Sequence, residues 1–231
     1  MKVRLLTAGV FAALFILTGC VQHQPQPEEL PILNYTAPAA GDTIVRIRIR
    51  DYGDVKLRLF PEQLPQACEQ FTALAEQGAY DGLTFDRVIR NFTIESEAPD
   101  GKTFQSRCCR QLIHLPGAVA FTNTGENSRF YIVTGKSVTE ENLRNYASYP
   151  PLWYTAEATA LYTQYGGTPW LDGTDTVFGQ VIDGLDVVYA ISKTPVDQEN
   201  YKPETAVYIE KVTVEQYDGS EIRWYPADYG L

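Results

Sequence analysis

The sequence predicts a mainly β protein, an antiparallel barrel with two main helices. Three observations predict it. Strand-like segments lie towards both ends of the globular part, beginning near Thr43 and ending near Val214. No βαβ rhythm links them, which points away from a parallel sheet. The composition, 44% hydrophobic and 21% charged over 231 residues, fits one globular domain with extensions.

The elements follow in order. From Thr43 to Arg50, Val45, Ile47 and Ile49 face one way and Arg46, Arg48 and Arg50 the other. Asp51-Tyr52-Gly53-Asp54 turns the chain, and Val55, Leu57 and Leu59 then alternate with Lys56 and Arg58. This is a hairpin with one buried face. A helix follows, with Pro65 in its first turn, Cys68, Phe71, Leu74 and Ala75 on one face, and Gly78 as its stop. Tyr80-Asp81-Gly82 turns into Phe85-Asp86-Arg87-Val88-Ile89-Arg90-Asn91-Phe92, which reads as a strand, a short break and the start of another strand. Val88 and Phe92 look inward. Arg87 sits between apolar neighbours, a poor place for a merely solvated charge, although a surface arginine on an edge strand is the plainer reading.

After Ile94 the pattern is irregular to about Gln111. Ala118–Phe121 and Arg129–Val133 are short strands separated by turn chemistry at residues 122–127. Residues 136–169 differ in texture: Val138, Leu143, Tyr146, Trp153, Ala158, Leu161 and Tyr162 sit in polar, helix-compatible sequence broken at Pro150-Pro151. They read as a helical insertion. A strand at 176–181, a short helix at 184–191 and a last strand at 206–214 complete the domain, 43–217, with 218–231 as a C-terminal tail.

The N-terminus is separate. Lys2 and Arg4 precede an apolar run from Leu5 to Leu17, which ends in Leu17-Thr18-Gly19-Cys20. The run is short for a membrane span and reads as a signal peptide over 1–19. Its ending resembles a bacterial lipobox, which implies lipidation of Cys20; an ordinary secretory peptide is the other reading. Residues 20–42, rich in Gln, Pro, Glu and Ala, read as a flexible tether. That places the chain at the extracytoplasmic face of the cell membrane. The net charge of −10 argues against nucleic-acid partners. Two histidines, His23 and His114, and no CxxC spacing leave little for a zinc site. A disulfide from Cys68 to Cys108 or Cys109 is not deducible from spacing.

Three stretches in this order resemble the cyclophilin family of peptidyl-prolyl isomerases, in a bacterial lipoprotein form with a helical insertion and a divergent pocket. They are Tyr80-Asp81-Gly82-Leu83-Thr84-Phe85-Asp86-Arg87-Val88-Ile89, then Gly117–Asn123 with Ser128–Ile132, then Trp170-Leu171-Asp172-Gly173 with Val177–Val181. The resemblance implies a closed eight-stranded antiparallel barrel capped by two helices. It implies Arg87 as the catalytic arginine, and Phe92, Tyr131 and Leu171 as walls of a proline pocket. Asn123 would hold the substrate backbone and Trp170 would line the rim. Xaa-Pro-containing polypeptides are the implied partners, the chain is expected to be a monomer, and no cofactor or metal is required.

The departures from the family pattern make the pocket more polar. Glu95 stands where Gln is usual, Thr93 for Met, Thr122 for Ala, Arg129 for Gln, Tyr131 for Phe and Asp175 for His. Glu95 could pair with Arg87, or Arg129 could take up Glu95 and leave Arg87 free. The expected function is therefore a prolyl isomerase assisting the folding of exported proteins. The alternative is a catalytically weak module that binds proline-containing segments or a partner, with the aromatics of the insertion as a docking surface.

Overall fold

The computed structural model describes residues 30–98, 107–123, 129–146 and 154–230. Strands β1 (Thr43–Ile49) and β2 (Gly53–Leu59) form the expected hairpin, with Val45 opposite Leu57 and Ile47 opposite Val55. The alternation that predicts the strands also explains the register, because a one-residue slip would expose all four apolar residues. Helix α1 (Pro65–Glu76) buries Ala67, Cys68, Phe71, Leu74 and Ala75, and the chain leaves it through Gly78 at φ +69°. Strands β3 (Arg87–Ile89) and β4 (Thr93–Glu97) follow, then β5 (Ala118–Phe121) and β6 (Arg129–Val133). The insertion carries α2 (Glu140–Tyr146) and α3 (Ala156–Tyr165). Strand β7 (Thr176–Asp183), α4 (Leu185–Ser192) and β8 (Ile209–Gln216) complete the order.

All strands pair antiparallel in one sheet, ordered β3-β4-β6-β5-β7-β2-β1-β8. The expected closed barrel is corrected: the sheet curls into an open half-barrel with β3 and β8 as its edges. The physical reason lies in β3, which is three residues long. Its outward Val88 N–H donates to Tyr201 O at 2.9 Å, in the loop before β8, so no ladder to β8 can form. The segment before β3 meets the start of β8 through the isolated bridge Thr84 to Tyr208, and through Gly82 N–H to Ile209 O at 2.8 Å, Ile209 N–H to Leu83 O at 2.8 Å and Phe85 N–H to Val207 O at 3.0 Å. Among the described residues, four α-helices accompany the sheet. The helices α1 and α4 pack on it, and α2 and α3 pack on each other.

Phe71 sits at the centre of the core, with ring centroids 5.0 Å from Tyr80, 5.3 Å from Phe130 and 5.1 Å from Phe178. Such tilted and edge-on contacts add to the area each ring buries.

The tether expectation is corrected for residues 30–42. Asn34 is fully buried: its Nδ2 donates to Ile113 O at 2.9 Å and Gln180 Oε1 at 3.0 Å, and its Oδ1 accepts from Ile113 N–H at 3.0 Å. Those bonds offset the cost of burying the amide. Ile32 packs with Ile113, Leu115 and Tyr162. The tail also packs back: Tyr225 stacks on Tyr165 at 4.5 Å, and Trp224 joins Ile44, Ile182 and Tyr217. Strand β4 runs on to Glu97 through sequence that reads as irregular. The leader and Cys20 lie outside the described residues.

Candidate active site

The turn between β3 and β4 positions the central groups. Asn91 takes φ +59°, a left-handed conformation that Asn tolerates better than most residues. The tight reversal sets Arg87 opposite Glu95, and β6 then sets Tyr131 opposite Glu95. The three side chains form one row across the sheet.

Glu95 is buried, its side chain 5% exposed, whereas the Arg87 side chain is 39% exposed. Arg87 Nη1 donates to Glu95 Oε1, and Thr93 Oγ1 donates to the same oxygen at 2.8 Å. The Arg87 guanidinium also lies 5.8 Å from the centroid of Tyr201. Arg129 approaches the other Glu95 oxygen at 3.7 Å, but its shorter bonds go to Asp86, at 2.8 and 3.2 Å, and Glu97, at 2.6 Å. Burial alone would lower the Arg129 pKa; the hydrogen bonds and charges of Asp86 and Glu97 outweigh it and raise it. Of the two arrangements open in the sequence, Glu95 therefore pairs mainly with Arg87.

Tyr131 is 2% exposed, so it forms a floor rather than a rim. Its hydroxyl donates to Asp175 Oδ2 at 2.7 Å. Burial, then the Asp175 charge, hold the phenol well above its usual pKa. Asp175 Oδ1 accepts the Asn123 N–H at 3.3 Å. Phe92 is half-buried and stacks on Trp170 at 5.9 Å, with Tyr146 and Lys136 on the same indole. Thr122 is fixed by its N–H to Arg129 O at 3.2 Å. Leu171 packs half-buried on the main core.

The sequence reading missed His114 and Asp172 as site residues. His114 Nδ1 lies 2.6 Å from Asp172 Oδ1, and its Nε2 lies 3.0 Å from Tyr131 Oη. Asp172 Oδ2 accepts from Tyr162 Oη at 2.6 Å. The available signal was a lone histidine between Ile113 and Leu115, two apolar residues. A cavity of about 180 Å³ opens beside this group, lined in part by Cys108, Cys109, Ile113, His114 and Asp175. Cys68, Cys108 and Cys109 are free thiols. Burial pushes Cys68 up to about 12, and burial with the Asp175 and Asp172 charges raises Cys108, so neither is an activated nucleophile.

The fold is cyclophilin-like. It is similar to a cyclophilin type peptidyl-prolyl cis-trans isomerase of Cryptosporidium parvum, with a TM-score of 0.57 and 23% identity over 76% of this chain and 98% of that one. A second structure of that protein, obtained in the presence of the dipeptide Ala-Pro, matches with the same TM-score over 75% of this chain and 99% of that one. Residues 44–214 match the family described as cyclophilin type peptidyl-prolyl cis-trans isomerase/CLD. A Staphylococcus aureus protein, named provisionally as a peptidyl-prolyl cis-trans isomerase, is 37% identical over 177 residues, which is 71% of this chain and 88% of that protein. A Staphylococcus epidermidis protein of the same name is 36% identical over the same shares. The chain belongs to the cyclophilin-type peptidyl-prolyl cis-trans isomerases.

Proposed function

We propose that the groove between the Phe92–Trp170 stack and Tyr131 receives the proline ring of an Xaa-Pro segment, and that Arg87 drives its isomerisation. Amide resonance sets a rotation barrier of about 20 kcal/mol. No covalent bond has to break. A guanidinium beside the prolyl nitrogen can donate to it as it pyramidalises, which favours the transition state over the ground state. Arginine suits this because it stays charged and its donors are rigidly directed. The observation that carries the reading is the asymmetry of the Arg87–Glu95 pair. A buried carboxylate anchors the guanidinium of an arginine whose side chain is 39% exposed. That anchoring supports a reading in which the remaining donors serve the substrate.

The test is a protease-free isomerase assay on Xaa-Pro peptides, wild type against Arg87→Ala. A rate above background that vanishes in the variant supports the assignment; equal rates sink it. The second reading, a binding module, draws on the same ion pair, since Glu95 occupies one Arg87 donor. It predicts bound peptide with no rate in either protein.

The Leu17–Cys20 ending supports lipid anchoring at the extracytoplasmic face, where the chain would act on exported proteins as a monomer. Unaided prolyl isomerisation takes tens of seconds, slow enough to limit their folding. Cys20→Ser should move the protein from the membrane to the soluble fraction; an unchanged distribution would exclude a lipid anchor at Cys20.

A further inference from the structure

The hydrogen-bonded chain behind Tyr131 holds three contacts in series. Asp172 Oδ1 meets His114 Nδ1 at 2.6 Å, His114 Nε2 meets Tyr131 Oη at 3.0 Å, and Tyr131 Oη meets Asp175 Oδ2 at 2.7 Å. Each contact needs one proton between its two atoms. A neutral imidazole supplies one ring proton and a phenol supplies one hydroxyl proton, while ionised carboxylates supply none. Two protons cannot fill three contacts. A tyrosinate would deepen the deficit, and burial with the Asp175 charge keeps Tyr131 protonated.

The surrounding groups do not close the gap, because each serves a contact of its own. Asp172 Oδ1 also accepts the His114 N–H at 3.0 Å. Asp172 Oδ2 accepts from Tyr162, and the Tyr154 hydroxyl is shared between that oxygen at 3.1 Å and Pro169 O at 2.9 Å. On the groove side, Asp175 Oδ1 takes the Asn123 N–H, and Cys108 Sγ contacts Asp175 O at 3.5 Å. From the sheet, Glu95 faces Tyr131 with its charge paired to Arg87 and near Arg129. Cys109 and Arg110 line the adjoining cavity.

We infer that this chain binds one extra proton, and that His114 is a positioning residue which uses it to fix Tyr131 and Asp175 at the floor of the proline groove. The inference rests on the reading of that groove given above. The extra proton completes the three contacts equally on the imidazole, as imidazolium, or on either carboxylate, as a carboxylic acid. With the proton bound, Tyr131 is tethered at both His114 and Asp175. Without it, the single hydroxyl proton of Tyr131 serves His114 or Asp175 but not both. One tether is lost; when the hydroxyl turns to His114, Asp175 Oδ2 loses its donor and the half-buried carboxylate is held by the Asn123 N–H at its other oxygen. A family member with phenylalanine at this position has no hydroxyl to build such a chain.

The test is the pH dependence of KM and kcat in the intact protein across the pH range in which it stays folded. Wild-type KM should rise about fivefold with pH, the effect of one hydrogen bond lost, while kcat holds. His114→Gln keeps a side-chain N–H that cannot titrate, and its KM should stay flat. Tyr131→Phe should also be flat. A flat wild-type KM, or a His114→Gln protein that keeps the wild-type slope, would overturn the positioning role. The proton itself is read by NMR, with ¹⁵N on the His114 ring and ¹³C on the Asp172 and Asp175 carboxyls. One of the three groups should carry the extra proton where KM is low and have lost it where KM has risen. A neutral imidazole with both carboxylates ionised throughout would overturn the inference. If wild type and variants alike show no isomerase activity, the functional reading fails while the NMR titration still decides the proton.

Discussion

Removing the Arg87 guanidinium should damage stability and catalysis through different atoms, and a second substitution should separate the two. In Arg87→Ala, the buried Glu95 carboxylate keeps, among the described residues, the Thr93 hydroxyl at 2.8 Å and Arg129 at 3.7 Å. A hydrogen bond to a charged group contributes about 1.5–3 kcal/mol, and the 39% exposure of Arg87 puts the loss at the low end, about 1.5 kcal/mol. For a chain of this size that lowers Tm by about 3–6 °C. Adding Glu95→Gln removes the unpaired charge, so the double variant should recover most of that Tm. Catalysis should not recover. Losing one donor aimed at developing charge typically costs about 10²–10³-fold in rate, and Gln at position 95 does not replace it. Thermal unfolding and a protease-free isomerase assay on the four proteins of the cycle read both effects. Equal Tm for Arg87→Ala and the double variant would refute the buried-charge reasoning, and an active double variant would refute Arg87 as the catalytic group.

Two further outcomes follow from the packing and the charges. Gly167→Ala should cost several kcal/mol, read as a large drop in urea midpoint: at φ +142° an added Cβ would collide with His114 O and stand 2.7 Å from the Tyr162 ring. A midpoint within error of wild type would mean that the junction between insertion and sheet is looser than it looks. Acid should also weaken the sheet at Arg46. Its hydrogen bonds lower the Glu215 pKa, and at Asp54 those of Arg48 and Arg46 outweigh burial and lower it too. Their pairing therefore stabilises the fold above the unfolded-state values of about 4 and is lost as pH falls through the lower folded-state values. Arg46→Met should remove about 1 kcal/mol at neutral pH and little at about pH 2, a difference that urea unfolding at both pH values would show or exclude.

The parts of this molecule legible in the sequence are those set by local periodicity. The bounds of β5 and β6 coincide with their apolar runs, and α1 begins at Pro65 and stops before Gly78. The illegible parts are set by distant partners. Strand β4 carries Glu95, Ser96 and Glu97, which look like loop until Arg87 and Arg129 are brought beside them. Residues 30–42 look like tether because Asn34 has no pattern to join; its partners are Ile113 and Gln180. The edge that keeps the sheet open depends on Tyr201. In the site, Arg87 stood out because a charge sat between apolar neighbours. His114 and Asp172 did not, since 58 positions separate the imidazole from the carboxylate that orients it.

The most direct test of the account is exchange NMR on a peptide with one Xaa-Pro bond at substoichiometric protein. The account predicts cis–trans exchange cross-peaks with wild type that are absent with Arg87→Ala. Peptide bound to wild type without any exchange would contradict it, and would leave a cyclophilin groove that recognises proline without turning the bond.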